Sequence, residues 1–326
     1  MDRRIFLGTL TGGLLAAPLA ARAQQAETKT YRIGVLYPGA DNIVFRSNFG
    51  GFRQALGSAG YVHGRNLELD VRTGDGRALA PLAADLTRRH PDLILAVARP
   101  GVLAMYTLGS TIEVVALDLE SDPVASHFVK TLARPAGHIS GVFMDFPELA
   151  GKWLQILQTI DQRLTRVVLL WDPSTGPAQL DAARQAARTL KLAVYPVEAR
   201  STAEIRSAFH VAMRERPNGM AVLTSPVFNS GRREIAELAA RNRLPTLLPF
   251  LGYAEDGGLV SYGPDVIAMY AQAGAIALKM LAGTPAAQIP VERPTRFTLS
   301  INLKTAKALG LTIPQSLLQR ADQVIE

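Results

Sequence analysis

The sequence has no cysteine among its 326 residues. It therefore contains no disulfide framework, no thiolate metal site and no cysteine nucleophile. Charged residues are also scarce, at 19%, while hydrophobic residues make up 48% of the chain. This balance excludes an intrinsically disordered protein. At about 100–200 residues per domain, the length predicts two domains.

Long apolar runs are absent beyond the N-terminus, where Ile5 to Ala20 carries no charge. This run is shorter than the roughly 20 residues that span a bilayer. Arg3-Arg4 precedes it, and Ala21-Arg22-Ala23 has the small-x-small form of a cleavage site. We predict a cleaved export signal over residues 1–23. It resembles the twin-arginine type, and the general export route remains open.

Removal of that signal leaves a chain without a lipid-anchor cysteine or a second candidate membrane segment. The net charge of +7 falls to +5, because three arginines and Asp2 are lost. The remaining positive charge is spread along the chain and forms no basic cluster. We therefore expect a free periplasmic protein that does not bind nucleic acid.

Recognisable catalytic motifs are also missing. There is no G-x-S-x-G nucleophile turn, no Walker loop, and no G-x-G-x-x-G after any predicted strand. The five histidines include no pair at i, i+3 or i+4, which argues against a histidine-based metal site. We predict a protein that binds without reacting, has no cofactor or metal, and is not an enzyme.

Short β-branched runs alternate with amphipathic helical stretches from Tyr31 onward, which predicts parallel sheets in an α/β fold. The run Arg32 to Pro38 and the run Arg166 to Pro173 share one pattern of arginine, apolar residues, an aromatic residue and proline. Each run would be the first strand of its own doubly wound lobe. Strands are predicted at Arg32–Tyr37, Leu67–Val71, Leu93–Val97, Val114–Leu117, Ile139–Phe143, Arg166–Trp171, Met220–Leu223, Leu244–Leu248 and Leu259–Tyr262.

Ligands of open α/β sheets bind beyond the carboxyl ends of the strands, so these positions supply candidate binding residues. Tyr37 and Trp171 end the two equivalent first strands and could enclose an apolar group, or else close their own cores. Arg99 follows the strand that ends at Val97. It could pair with a ligand carboxylate, or it could be a surface arginine beside a turn.

Acidic residues crowd the end of the strand Val114–Leu117. Asp118, Glu120 and Asp122 could hold an ammonium group, although helix capping explains any one of them equally well. A cation, several acids and two rings would suit an amino-acid-like zwitterion or another small polar metabolite. The candidates at strand ends in the second half are Asp172, Ser174, Thr175, Ser225, Phe228, Asn229 and Tyr262.

Several segments resemble one family in colinear order over essentially the whole mature chain. They include Phe52-Arg53-Gln54-Ala55-Leu56, Asp122-Pro123-Val124, Leu132 to Gly141, Gly257 to Pro264, and Asn302 to Leu311. The family is that of the periplasmic substrate-binding components of ABC transporters, which includes the tryptophan/tyrosine-binding type. The resemblance implies a type I periplasmic-binding fold with two doubly wound parallel-sheet lobes joined by a hinge.

The same resemblance implies domain boundaries and partners. Residues 31–143 and 263–294 would form one lobe, and residues 144–262 and 295–326 the other. A monomer would bind a small-molecule ligand between the lobes and deliver it to an inner-membrane ABC permease. The alternative is a ligand-sensing protein of the same fold that signals to a membrane receptor.

The sequence departs from the family pattern at positions facing the expected cleft. The family often has a small residue where Arg99 stands, Asn-Pro where Asp172-Pro173 stands, and Asp-Pro where Ser225-Pro226 stands. These differences leave the expected fold unchanged. They mean that an aromatic amino acid cannot be assumed as the ligand.

Overall fold

The computed structural model describes residues 29–74, 78–144 and 146–326, with the predicted export signal outside this part. Its first sheet has five parallel strands in the order β2-β1-β3-β4-β5. Residues of the central strands are buried on both faces, as in an all-parallel sheet covered by helices. These strands are β1 (Tyr31–Tyr37), β2 (Leu67–Thr73), β3 (Leu93–Val97), β4 (Val114–Asp118) and β5 (Ile139–Phe143).

The second sheet has seven strands in the order β12-β11-β10-β9-β8-β6-β7. Five of its six neighbouring strand pairs are parallel, but β10 and β11 pair antiparallel, which strand patterning alone did not predict. The strands are β6 (Arg166–Trp171), β7 (Ala193–Glu198), β8 (Gly219–Val222), β9 (Thr246–Leu248), β10 (Val260–Pro264), β11 (Phe297–Asn302) and β12 (Gln323–Ile325).

Helices cover both sheets with apolar faces. Helix α1 begins at Asn42, whose side chain accepts a hydrogen bond from the Phe45 amide, and its buried face includes Phe49 and Phe52. The helices are α1 (Ile43–Ser58), α2 (Leu79–Arg88), α3 (Ala98–Leu108), α4 (Phe146–Ile160), α5 (Ala178–Thr189), α6 (Ile205–Arg214), α7 (Pro226–Ser230), α8 (Arg232–Arg241), α9 (Val266–Leu281), α10 (Leu303–Ala308) and α11 (Gln315–Leu318).

Late segments of the chain return to the first sheet. Helix α9 packs against α1, β3, β4 and β5, although β10 before it and β11 after it belong to the second sheet. The Glu292 amide donates to Gly141 O at 2.9 Å, and the Phe143 amide donates to Glu292 O at 3.0 Å. The chain therefore passes between the two sheets more than once. Within the described residues, no helix is both long and apolar enough to cross a bilayer.

The predicted parallel strands all form, with ends shifted by up to two residues. Ser201 to Glu204 has the residue spacing of a capping box, which predicts a helix start at Ser201, but this prediction is wrong. A short 3₁₀ turn over Thr202–Glu204 precedes α6, and Ser201 makes no side-chain cap bond. The Glu204 carboxylate instead accepts from the Arg200 amide at 2.9 Å. Because this turn comes first, α6 begins only at Ile205, and Ser201 does not occupy the capping position of the helix.

Candidate functional site in the cleft between the lobes

The carboxyl ends of strands from both sheets face one another across a cleft. In each sheet, the next two strands along the chain lie on opposite sides of the first strand, so the winding of the chain changes direction there. Ligands of open α/β folds bind at such switch points. A cavity of about 40 Å³ lies there. The first sheet and its helices supply Tyr37, Asn48, Val97, Ala98, Leu117, Leu119, Glu120, Val266 and Tyr270, and the second supplies Pro226, Asn229 and Phe250.

The two sides of the cleft touch, so this conformation is closed. The side-chain Nδ2 of Asn42 donates to Ser230 Oγ at 3.2 Å, and Thr224 Oγ1 donates to Leu119 O at 3.3 Å. A cavity of 40 Å³ holds little more than one water, whereas small-molecule sites usually measure about 300–1,000 Å³. A metabolite can therefore enter only when the lobes separate or the lining side chains move.

Tyr37 stands at the end of β1, where its ring is buried and stacks on Phe45 with centroids 4.3 Å apart. Burial raises the pKa of the Tyr37 hydroxyl to about 12, although a hydrogen bond with Ser230 opposes the shift. The hydroxyl therefore stays neutral and links β1 to α7. Tyr270, on α9, also lines the cavity, and burial raises its pKa well above the ordinary value.

Two carboxyl groups lie together at the end of β4. Asp118 is fully buried, and its Oδ1 accepts from the amides of Glu120 at 2.8 Å and Ser121 at 3.0 Å. Glu120 is 2% exposed, lines the cavity, and accepts from the Arg99 amide at 3.0 Å. Burial, followed by the charge of Asp118, raises the pKa of Glu120 well above its ordinary value.

Arg99 lies in the first turn of α3, directly after Ala98 in the left-handed conformation with φ of 55°. Its guanidinium lies 5.9 Å from the Phe128 ring centre. It also reaches the second lobe, because a Cβ added to Gly176 would lie 2.3 Å from Arg99 Nε. Arg99 Nη1 is buried and has no hydrogen-bond partner among the described residues. The side chain therefore bridges the two lobes.

Asp172 and Ser225 stand side by side at the ends of β6 and β8. Ser225 Oγ donates to Asp172 Oδ2 at 2.7 Å, while Asp172 Oδ1 accepts from the Ser174 amide at 2.9 Å. Ser225 also caps α7 by accepting from the Val227 amide at 3.0 Å. Both side chains are buried, and their bonds hold the loops that face the first lobe.

The remaining predicted residues lie away from the cavity. Trp171 packs against the core of the second lobe and donates through Nε1 to Gly176 O at 3.2 Å. Phe228 is fully buried in the same core, and Ser174 is exposed. Asp122 is exposed and accepts from two amides in its own turn. Tyr262 stacks on Phe297 with centroids 6.1 Å apart.

The cavity also contains residues that sequence reasoning did not select. Asn48 and Tyr270 come from α1 and α9, whose apolar spacing indicated core packing only. Asn229, by contrast, was one of the candidates that follow a predicted strand end, and it lines the cavity. Phe250 follows β9 and could have been found in the same way. Among the described residues, no group of three histidine, cysteine or acidic side chains is arranged to hold a metal ion.

Comparisons with known proteins agree with this geometry. A curated relative, the tyrosine-binding protein of Clostridioides difficile strain R20291, is 24% identical over 80% of this chain and 76% of its own length. A solved structure from Streptococcus pneumonia, an ABC domain in complex with L-Trp, has a TM-score of 0.83. It is 24% identical over 91% of this chain and all of that one.

A second solved structure is the ligand-free, open form of a substrate binding protein with adhesive properties from Clostridium difficile. It has a TM-score of 0.63 and is 22% identical over 91% of this chain and 99% of that one. The two solved structures confirm the predicted two-lobed periplasmic-binding fold. The model of ABC transporter substrate binding proteins, a family of binding proteins and not of enzymes, matches residues 41–325. The chain belongs to this family.

Proposed function

We propose that this chain is the extracytoplasmic receptor of an ABC importer and captures an amino-acid-like solute between its lobes. The observation that carries the proposal is the Glu120 carboxyl group, buried in a cavity lined otherwise by aromatic, apolar and amide side chains. A carboxyl group there suits an ammonium group, and the rings of Tyr37, Tyr270 and Phe250 suit an apolar body. The names of the relatives, which bind tyrosine and tryptophan, support the same solute class.

The broader predictions from the sequence become part of this proposal. We place the mature chain in the periplasm as a monomer, released by cleavage of residues 1–23. We assign residues 31–143 and 263–294 to the first lobe, and residues 144–262 and 295–326 to the second. The position of α9 against the first sheet and of β11 in the second supports this division.

Titration calorimetry of residues 24–326 tests solute binding with L-tyrosine, L-tryptophan and a panel of other amino acids. We expect one solute per chain and, at 100 times its Kd, stabilisation by about 2.7 kcal/mol. Asn48→Ala should weaken binding, because Asn48 lines the cavity and its side chain makes no described hydrogen bond. Gln54→Ala, on the exposed face of the same helix, is the matched control. Saturable binding that is indifferent to Asn48 would place the solute elsewhere.

Delivery to a permease needs a separate experiment. The solute-loaded chain is added to vesicles that contain candidate permease and ATPase subunits from the same organism. We expect solute-dependent ATP hydrolysis and uptake of the solute into the vesicles. If a neighbouring membrane kinase responds to the loaded chain and the permease does not, the chain is a ligand sensor instead.

A further inference from the structure

The buried carboxyl groups of Asp118 and Glu120 have different hydrogen-bond partners. Oδ1 of Asp118 accepts two backbone N–H groups, but its fully buried Oδ2 makes no hydrogen bond of normal geometry among the described residues. Oε2 of Glu120 accepts the Arg99 amide at 3.0 Å. The second oxygen of each acid thus has no backbone donor. The inter-lobe cavity lies directly against Glu120.

These two side chains are close enough to interact by a hydrogen bond as well as by charge. Two carboxyl groups can form such a bond only when one of them carries a proton. Glu120 is the carrier, because burial and the charge of Asp118 raise its pKa well above the ordinary value. Burial also raises the pKa of Asp118, while the Ser121 hydroxyl and two backbone amides stabilise its ionised form and oppose that shift. The shared proton gives Asp118 a donor in addition to the Ser121 hydroxyl and the two backbone amides.

The Ser121 hydroxyl also interacts with Asp118 and lowers the pKa of that carboxyl, but it brings no positive charge. Tyr37 from β1 and Tyr270 from α9 face Glu120 as neutral hydroxyl-bearing rings, and Asp172 from the second lobe adds a further acid. From α3, Arg99 offers Glu120 its backbone amide. No lysine, arginine or histidine in the described residues forms an ion pair with Asp118 or Glu120. A proton, or a cation in its place, therefore neutralises this end of the cavity.

We infer that the cationic group of the bound solute replaces the proton shared by Asp118 and Glu120, so that binding releases one proton to solvent. The inference rests on the proposed function and specifies it: the solute class is ammonium-bearing, and Glu120 determines that specificity. N–H groups of the ammonium donate to Glu120, which lines the cavity, and the proton that Glu120 shared with Asp118 leaves for the buffer. Charge balances because one positive charge enters the pair as another departs.

The experiment compares three probes that share one phenol ring. L-Tyrosine and tyramine carry the ammonium group, whereas 3-(4-hydroxyphenyl)propionate lacks it. Calorimetry in two buffers of different ionisation enthalpy measures the protons released per bound probe. We expect release that approaches one proton with the two amines. Their affinity should rise by up to about tenfold per pH unit while the free protein holds the shared proton.

Glu120→Gln should abolish proton release and weaken amine binding by about 10- to 100-fold, because a charge-assisted hydrogen bond is lost. Glu237→Gln, the same change at an exposed position on α8, is the control and should behave as wild type. Infrared spectroscopy of the ligand-free protein should show a protonated carboxyl band that Glu120→Gln removes. That measurement does not depend on any solute.

The possible failures are distinct. If the amines bind without releasing a proton, or if the des-amino probe binds as tightly, the inference is overturned while the proposed receptor function stands. Absence of the carboxyl band from the ligand-free protein overturns it as well. If no amino acid binds at all, the solute class of the proposed function fails and the inference fails with it.

Discussion

Burial controls the charge of single residues in the cleft. Asp118 and Glu120 have almost no contact with solvent, and the pair gains most of its compensation from backbone amides and a proton. Asp172 is equally buried, but Ser225 and the Ser174 amide satisfy its two oxygens. Asp118 and Asp172 therefore have different roles, because each carboxylate oxygen of Asp172 accepts a hydrogen bond, whereas Oδ2 of Asp118 accepts none of normal geometry among the described residues.

The raised pKa of Glu120 has a consequence for stability. Between the ordinary Glu pKa and the raised value, the unfolded chain has lost this proton while the folded chain keeps it. The free energy of unfolding should therefore fall as pH rises through this window, by up to about 1.4 kcal/mol per pH unit. Glu120→Gln should lack this loss. Urea unfolding at several pH values measures the difference, and a variant that follows the wild-type slope would contradict the assignment.

Arg99 carries a second prediction at this scale. Its side chain packs across the cleft against Gly176, so Arg99→Ala should favour the open form and weaken solute binding by up to about tenfold. The melting temperature of the free protein should change little, because Arg99 as a whole is only partly buried and its buried Nη1 makes no hydrogen bond among the described residues. Arg134→Ala, an exposed arginine in the same lobe, is the control for calorimetry. Equal affinities for both variants would leave Arg99 without a role in closure.

The sequence predicted the strands more completely than it predicted which helix residues line the candidate site. The parallel strands were predictable because a short, continuous apolar run such as Leu93–Val97 is typical of a strand that is buried on both faces of a parallel sheet. The candidate site was less predictable, since the spacing within α1 and α9 does not show which of their buried residues face the second lobe. Phe228 illustrates the same limit, because α7 turns its ring into the core although it follows a strand end.

The contact between α1 and α9 depends on two small residues. A Cβ on Gly51 would lie 2.2 Å from the Ile267 carbonyl oxygen, and one on Gly274 would lie 2.6 Å from Ala55 Cβ. Gly51→Ala should therefore force the helices apart and lower the free energy of unfolding by about 1–3 kcal/mol. Gly50→Ala has nothing within 4 Å and should stabilise the helix by about 0.5–1 kcal/mol. Denaturant unfolding of the two adjacent variants should give opposite signs, and equal signs would contradict the close approach.

At the scale of the whole molecule, the closed form depends on a few polar bonds across an otherwise apolar cleft. Ser230 is central, because it accepts from Asn42 at 3.2 Å and also bonds with the Tyr37 hydroxyl. A solute can shift the balance between open and closed forms only by binding the closed one more tightly. Loss of Ser230 Oγ should therefore open the molecule and reduce apparent affinity together.

The absence of cysteine makes this prediction directly measurable. Ile43→Cys and Glu255→Cys place one label on each side of the cleft mouth, at exposed positions, and no other thiol competes. Energy transfer between the labels should increase as L-tyrosine closes the lobes. Ser230→Ala should lower the closed fraction at every solute concentration, whereas Ser58→Ala, exposed at the end of α1, should not. If saturating L-tyrosine binds by calorimetry but leaves the transfer unchanged, binding does not proceed by lobe closure.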